Sequence, residues 1–337
     1  MDSLTHTVLG ACVGEALAGK KLGKQAMFWG ALANNIPDID VITSMWMNQA
    51  DSLLAHRGFT HSILFAIIFP PLFAFLLSRF HSNKQMNFRN WWMIFASGLF
   101  IHIVIDAFTC YGTGWFEPFS HHRVTMNVLF VADPFYTISL LISFTALLII
   151  KEKKKSRLIW TRLGLWVSTF YIGYAFINKL IIDNNFKKEL VRQHIPYENY
   201  FTTPTPLNNF LWYVVAKNDT GFYLGYYSFF DNKNEMELNF RPKNEYLLSG
   251  LQKNKDLQTL KRFSKNYYSV EGKNDTLFLS DLRFGTTGGW ADSSADFVFR
   301  YSLEKDANND LIIQRGRFKS SGKDALTSLW KRICGNQ

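Results

Sequence analysis

The chain has 337 residues, enough for two domains, and its long apolar runs are concentrated in the first 182 residues. Its formal net charge is +10, and the excess lies in three short loops at residues 20–24, 79–89 and 151–157. Basic residues confined to short loops between apolar segments are typical of membrane proteins, so this charge argues against nucleic-acid binding. Three cysteines without a CxxC pair also argue against a disulfide framework or a thiolate metal site.

Four apolar segments are long enough to cross a bilayer as helices, which takes about 17–25 residues each. They run approximately over residues 62–80, 91–110, 134–150 and 158–182. Two shorter segments precede them, at residues 4–18 and 26–36, and their polar residues favour half-spanning or bundle-buried helices. The sequence therefore predicts a mostly α-helical polytopic membrane domain over residues 1–182.

Placing all three basic loops in the cytoplasm gives one consistent topology for these segments. The helix at 26–36 then runs outward and brings the PDID sequence at 37–40 to the outer side. The 62–80 segment begins outside, and the 91–110 segment ends outside. We therefore expect a multi-pass protein of the cytoplasmic membrane in which residues 183–337 lie outside the cytoplasm.

After residue 183 the pattern changes to alternation of apolar and polar residues, which is typical of strands. The predicted strands are residues 210–216, 221–230, 276–279, 296–303 and 311–318, with one or two helices near 245–265. The predicted fold is thus a helical membrane domain, 1–182, followed by a small β-rich (α+β) soluble domain, 183–337, whose role is open.

His102 and Asp106 lie in one apolar helix, in the run GLFIHIVIDAF. Their spacing of four residues puts both side chains on the same helical face. Ionisable groups inside a membrane helix are costly, so they face a protein interior and usually mark function. The alternative is a structural His–Asp pair that locks two helices together.

His56 and His61 are the two histidines of the run HRGFTHS. Gly58 permits a tight turn, and Thr60 can cap a helix that begins at His61. Such a turn would point both imidazoles and the Arg57 guanidinium toward one volume at the outer membrane surface. The alternative is a polar interfacial loop.

Asp38 and Asp40 follow Pro37, which ends the preceding helix. An aspartate in that position is often only a cap for the next helix, and His6, one turn into its own helix, would normally be a core residue. The predicted topology nevertheless brings His6, Asp38 and Asp40 to the same outer level as His56. This convergence favours a role as metal ligands.

Neutral imidazole with carboxylate is the ligand set expected of zinc, while carboxylate-rich versions also suit manganese or iron. The predicted ligands are His6, Asp38, Asp40, His56, His61, His102 and Asp106. A divalent metal there would lower the pKa of a bound water and polarise an ester or phosphoryl oxygen. Asp40 is the candidate catalytic base, and Arg57 is the candidate anchor for an anionic substrate group.

Four motifs in order, MDSLTHTVLG, NNIPDID, HRGFTHS and HIVIDAFTCYGT, resemble the YdjM-type family of bacterial inner-membrane proteins over roughly residues 1–182. The later PTPLNNFLWYVVA and GYYSFFD are similar to an extension found in longer members. The resemblance implies an integral inner-membrane, metal-dependent hydrolase whose ligands match the seven residues named above. It implies no particular substrate.

The sequence thus predicts a membrane-bound, metal-dependent hydrolase that acts on a phosphorylated or lipid-linked ester at the outer face of the membrane. Its partners would be the lipid bilayer and a small-molecule or lipid-linked substrate. One alternative is an ion- or proton-coupled transporter that uses the same intramembrane histidines and aspartates. The other is a membrane-anchored binding module whose β-rich domain captures a partner while the polar cluster is structural.

Overall fold

The computed structural model describes residues 1–81, 85–231, 236–273, 276–292, 294–303, 312–315 and 322–335. A helical region comes first and a β-sheet region follows, which confirms the predicted order. The chain divides into two compact units. The helical unit holds residues 1–42, 55–176 and 206–208, and the β-sheet unit holds residues 43–54, 177–205 and 209–337.

The helices that precede the first strand include two that are longer than the sequence predicts. They are α1 (Ser3–Leu22), α2 (Gln25–Asn35), α3 (Gln49–Ala55), α4 (Ile63–Phe80), α5 (Phe88–Ala107), α6 (Pro134–Ile149) and α7 (Ser156–Arg192). Two 3-10 helices, Pro37–Met45 and Phe59–His61, lie on either side of α3.

Within the described part of the chain, α4, α5 and α7 are long and apolar enough to cross a membrane. The fourth predicted segment forms α6, which is apolar but has 16 residues. At 1.5 Å per residue it is about 24 Å long, shorter than the hydrocarbon core of about 30 Å.

Helices α1 and α2 make a close contact through glycines. Gly14 lies against the Ala26 carbonyl oxygen and Gly30 against the backbone of α1, so that a Cβ on either glycine would collide with main-chain atoms. Small residues at helix contacts let two backbones approach closely. The approach brings the Asn34 side-chain amide to the backbone oxygen of His6, to which it donates at 2.7 Å.

The basic loops meet at one end of the helical unit. The backbone N–H of Lys24 donates to the Glu152 carboxylate at 3.0 Å, and the Lys21 ammonium donates to the Asn90 side chain at 2.7 Å. Lys84, counted with the second loop, lies outside the described residues. The ends of α1, α4 and α6 and the starts of α2, α5 and α7 therefore share the basic side.

Arg157 departs from the sequence interpretation, which counts it among the charges of the third basic loop. It is 3% exposed and donates to both carboxylate oxygens of Glu15, at 2.8 and 2.7 Å. A charge can be buried at acceptable cost only with a partner, so Arg157 is neutralised inside the bundle and adds no charge to the loop.

Among the described residues, the β-sheet unit has two antiparallel sheets of four strands each. The first has the order β1 (Asn199–Pro204), β2 (Leu211–Lys217), β3 (Gly221–Ser228) and β4 (Leu238–Pro242). The second has the order β5 (Tyr268–Lys273), β6 (Thr276–Thr286), β7 (Phe297–Leu303) and β8 (Ile312–Arg315). Helices α8 (Lys255–Phe263) and α9 (Gly322–Ile333) complete the unit, and a core that includes Val215, Phe222 and Leu282 draws on both sheets.

The strands predicted at 210–216, 221–230 and 296–303 are confirmed with small shifts at their ends, and α8 is confirmed as a predicted helix. Residues 276–279 are only the start of β6, and β8 covers the described part of the segment predicted at 311–318. Strands β1, β4 and β5 were missed, since their short polar sequences lack a clear alternation.

Helix α7 continues ten residues beyond its predicted end at Ile182. Its extension buries Phe186 and Leu190, which pack with Trp212 of β2. Ile182, Phe186 and Leu190 follow one another at intervals of four residues, so they lie on one helical face. The prediction was wrong because the polar residues between them end the apolar run without ending the helical period.

Candidate metal centre

Both aspartates of the PDID sequence lie in the Pro37–Met45 3-10 helix, directly after α2. Pro37 therefore begins a tighter helix as well as following the end of an α-helix. At the start of α1, Asp2 accepts a hydrogen bond from the Thr5 backbone at 3.0 Å and caps the helix that carries His6. The start of the Pro37–Met45 helix thus positions Asp38 and Asp40, and the start of α1 positions His6. All three residues belong to the helical unit.

The turn in HRGFTHS differs from the prediction in two respects. Arg57, and not Gly58, adopts the left-handed conformation, with φ of 59°. Helix α4 begins at Ile63 and is capped by Ser62, which accepts from the Phe65 backbone at 3.0 Å. Thr60, the predicted cap, instead donates its hydroxyl to the Asp40 carboxylate at 2.9 Å.

Asp38, His61, His102 and Asp106 each offer one ligand atom to a group whose members lie within 4.8 Å of one another. His61 Nε2 lies 3.0 Å from His102 Nε2, 3.4 Å from Asp38 Oδ1 and 3.3 Å from Asp106 Oδ2. His102 Nε2 lies 3.6 and 3.5 Å from the same two oxygens. A tetrahedron with bonds of about 2.0–2.2 Å has edges of about 3.3–3.6 Å. Four of these five distances match such edges, and the distance between the two Nε2 atoms is shorter.

Both histidines turn Nε2 toward the centre of this group and Nδ1 toward an acceptor. His102 Nδ1 lies 2.5 Å from the Asn34 carbonyl oxygen, and His61 Nδ1 lies 3.2 Å from Asp40 Oδ2. A proton on Nδ1 leaves the lone pair of Nε2 free for a metal, which is the usual arrangement around ligating histidines. Two lone pairs and two carboxylate oxygens then face each other, and a cation would stabilise them.

The same surroundings act on His61 when no metal is bound. Burial alone would lower its pKa, but the nearby carboxylates of Asp106, Asp38 and Asp40 raise the pKa of His61 to about 9. The pocket thus favours one positive charge at its centre, carried either by an ion or by this imidazole.

Asp106 is fully buried, and three basic groups contact it. The amino group of Met1 contacts Oδ1, His6 Nε2 lies 3.1 Å from the same oxygen, and Arg57 Nε lies 3.0 Å from Oδ2. Despite that short ion pair, Oδ2 accepts no well-directed hydrogen bond from the described residues. A buried carboxylate oxygen in that state is costly, and an ion at the centre of the group would satisfy it.

His6 lies beside the four-atom group rather than in it. Its ring stacks on that of His102, with 3.8 Å between the centroids, and it is fully buried. Within the described ranges, its Nδ1 has no hydrogen-bond partner. His6 thus supports His102 and Asp106 by packing and by one polar contact.

A second group of possible ligands, Asp38, Asp40 and His56, shares Asp38 with the first. His56 is partly exposed, and its Nδ1 lies 2.9 Å from Asp40 Oδ1. The other oxygen of Asp40 accepts from the Arg57 backbone at 2.8 Å. Burial would raise the pKa of Asp40, but hydrogen bonds from His56 and His61 outweigh it and hold this pKa well below its usual range.

The Arg57 side chain is held on several sides. Its guanidinium donates to Thr109 at 2.8 Å and lies over the Tyr111 ring, 5.1 Å from the centroid. Arg123 lies over the same ring at 5.4 Å and donates to the His56 carbonyl oxygen at 2.5 Å. Arg57 is therefore fixed beside the four-atom group, at 3% exposure.

Sequence reasoning missed four residues of this pocket: Asn34, Thr109, Tyr111 and Arg123. Asn34 carries the clearest signal of the four, because an amide near the end of an apolar helix, three residues before Pro37, needs a buried partner. Thr109 and Tyr111 lie in the run HIVIDAFTCYGT, and Arg123 lies in the loop that follows it. Residues of these types are common in loops, and no spacing marks them as part of a site.

All seven predicted ligands are found in this pocket of the helical unit. Four form the first group, two more join Asp38 in the second, and His6 lies outside both. Which of them bind an ion remains a prediction.

Comparisons with known proteins agree with the motifs. The model of the YdjM inner membrane protein family matches residues 1–182. The uncharacterized protein YfhP of Bacillus subtilis (strain 168) is 28% identical over 233 residues, covering 67% of this chain and 68% of that protein. Inner membrane protein YbcI of Escherichia coli (strain K12) is 30% identical over 122 residues, covering 36% and 69%.

No solved structure matches the chain. The family description and the name of YbcI, together with the apolar helices, support an inner-membrane location. Neither relative's name states an activity.

Proposed function

The chain belongs to the YdjM inner membrane protein family, and from its polar pocket we propose that it is a membrane-bound, metal-dependent hydrolase. The proposed substrate is a phosphorylated or lipid-linked ester at the outer face of the inner membrane. The observation that carries this proposal is the group of two imidazole nitrogens and two carboxylate oxygens, which all lie within 4.8 Å of one another.

The residues present fit a divalent ion, with zinc the best match and manganese or iron as alternatives. Asp38, His61, His102 and Asp106 would hold it. A bound ion of this kind supplies a water of lowered pKa and polarises an ester or phosphoryl oxygen.

Asp40 and Arg57 keep roles in the proposed reaction, and the contacts of Asp40 change its role from base to positioning residue. Asp40 already accepts hydrogen bonds on both oxygens, so we assign it to positioning His56 and His61. His56, held by Asp40 and 30% exposed, is placed to take a proton from a water molecule. Arg57 offers a positive charge to an anionic group of the substrate.

Apolar side chains exposed next to the pocket support a substrate at the membrane. Ile39, between Asp38 and Asp40, is 59% exposed, and Phe59 is 45% exposed. Exposed apolar residues grouped in this way are typical of surfaces that contact lipid or another protein.

The distribution of basic and pocket residues between the two ends of the helices supports an extracytoplasmic pocket. Helix α1 carries His6 near its start and Lys20 and Lys21 at its end, while α5 starts beside Arg89 and carries Asp106 near its end. With the basic end in the cytoplasm, the pocket faces the outer side. The same topology puts residues 183–337 outside the cytoplasm.

The proposal is tested by measuring metal in the purified protein. We expect about one ion per chain in the wild type, bound by the four ligands. His61→Ala and Asp106→Ala should remove it, whereas His121→Ala, at an exposed histidine paired with Glu117, should retain it. Unchanged metal content in both pocket variants would rule out the metal centre.

Transport by the same residues requires ionisable groups that continue across the helices. Between His6 and Glu15, the buried side chains of α1 are apolar, as at Val8, Leu9 and Cys12. This stretch of α1 without buried charged side chains favours hydrolysis over transport. Proton or ion flux in proteoliposomes that disappears in His102→Ala would favour transport instead.

A further inference from the structure

A cavity of about 540 Å³ lies within the β-sheet unit and is lined by residues of both sheets. Its size is within the range of about 300–1,000 Å³ that is typical of small-molecule sites. Tyr213, Tyr226 and Arg241 come from the first sheet, Arg300 comes from the second, and Trp290 comes from the loop between β6 and β7.

Three buried polar atoms of residues that line this cavity have no hydrogen-bond partner within the described ranges. They are the Tyr213 hydroxyl, Arg241 Nε and Arg300 Nε. Tyr213 is only 3% exposed, so water outside the fold does not satisfy its hydroxyl. Because a guanidinium N–H can only donate, a ligand that satisfied these atoms would carry acceptor oxygens.

Carboxylates balance the positive charge of these arginines. Glu271 contacts Arg241 and lies 3.7 Å from Arg300 Nη2, and Asp296 accepts from Arg300 Nη1 at 2.5 Å. The lining therefore offers donors and acceptors side by side without a net charge from these four groups. A hydroxyl group, which both donates and accepts, suits such a wall better than an anion does.

Aromatic rings also line the cavity. Tyr213 and Tyr226 have ring centroids 5.2 Å apart, and Trp290 stands perpendicular to Tyr226 at 6.4 Å. Flat apolar faces beside paired donors and acceptors match a pyranose ring, which has apolar C–H faces and hydroxyl groups on its rim.

We propose that this cavity binds a saccharide. The arginine and tyrosine donors hold its oxygen atoms, Glu271 and Asp296 accept from its hydroxyl groups, and Trp290 packs against a sugar face. The site belongs to the β-sheet unit alone and does not depend on a metal.

The test is calorimetric titration of the full-length protein in detergent with four probes: N-acetylglucosamine, its β-1,4-linked dimer, glucose and maltose. Phenyl phosphate serves as the anionic comparison. We expect at least one sugar to bind with a Kd below about 5 mM and more tightly than phenyl phosphate. No sugar binding at that level, or tighter binding of phenyl phosphate, would overturn the proposal.

Matched variants place the binding in the cavity. Trp290→Ala should weaken it about tenfold or more, and Tyr213→Phe about threefold to tenfold. The controls are Trp330→Ala and Tyr246→Phe, which change exposed residues that do not line the cavity. Equal affinities in cavity and control variants would overturn the assignment.

A variant of the helical unit separates binding in the cavity from binding elsewhere in the chain. Asp106→Asn should bind the sugar as the wild type does, because Asp106 lies outside the β-sheet unit. Loss of sugar binding in Asp106→Asn alone would assign the binding to the helical unit and overturn the proposal. Trp290 lies in a loop, so Trp290→Ala tests the cavity even where a change inside a strand reduces folding.

Discussion

The helical and β-sheet units keep their charged residues in different surroundings. In the helical unit Arg157 and Glu15 are 3% and 9% exposed, and each has the other as its charged partner. In the β-sheet unit Glu245 binds Lys243 and Lys261 with a side chain that is 47% exposed. Water can replace a lost partner in the second case but not in the first, so sparse charges in the helical unit carry more information about structure and function.

The largest effect expected from this difference is at Arg157. Arg157→Leu would leave Glu15 buried without its partner and should lower the free energy of unfolding by about 3–5 kcal/mol. Unfolding in mixed micelles, followed by circular dichroism, measures this loss. The double variant with Glu15→Leu should recover most of it.

The matched control is Arg162→Leu, at an exposed position of the same helix. Equal stability of the two single variants would show that buried charges in the helical unit are not dependent on their partners.

An intermediate effect is expected at Asp40, which contacts the Nδ1 atoms of His56 and His61. Asp40→Asn should weaken metal affinity about 10- to 100-fold, as loss of a partner behind a ligating histidine usually does. Competition with a fluorescent chelator measures the change. Asp51→Asn, which alters a partly exposed carboxylate paired with Lys255, should leave the affinity unchanged.

The smallest effect is expected in the β-sheet unit, at Glu245. Hydrogen bonds from Lys243 and Lys261 lower its pKa from 4.5 to about 2, so its carboxylate form is favoured in the folded state. The stabilisation is fully present above about pH 4.5 and is lost as the pH falls toward 2. Glu245→Gln should therefore cost no more than about 1 kcal/mol at neutral pH and nothing near pH 2.

Thermal unfolding of wild type and Glu245→Gln between pH 2 and 7 measures this difference, with the exposed Glu237→Gln as control. A loss as large as that of Arg157→Leu would contradict the comparison between the two units.

The helical region was largely predictable because its signals are local. Long apolar runs define α4, α5 and α6, and rare ionisable residues in or beside those runs mark the pocket. The end of α7 was not predictable from hydropathy, because its last turns bury only one face against β2. Likewise, Ser62 caps α4 while Thr60 binds Asp40, and no local pattern shows a partner that lies in another helix.

The cavity of the β-sheet unit could not be predicted, because its walls come from distant strands. Tyr213 lies on β2, Arg241 on β4 and Arg300 on β7, and only the pairing of strands brings them together. Each of these residues is ordinary in a β-rich sequence. Strand register, such as Val214 opposite Gly225, determines which residues lie side by side at the cavity. Local sequence does not show this register.

The length of α5 sets the depth of the metal pocket. From Phe88 to His102 the helix rises about 21 Å, whereas a hydrocarbon core is about 30 Å thick. In the proposed topology, a helix α5 that starts at the inner boundary of this core would hold His102 within the outer leaflet, below the level of the headgroups. Hydrolysis at that depth requires a hydrated passage from the outer surface, and a lipid-linked substrate would reach the pocket from the side, through the leaflet itself.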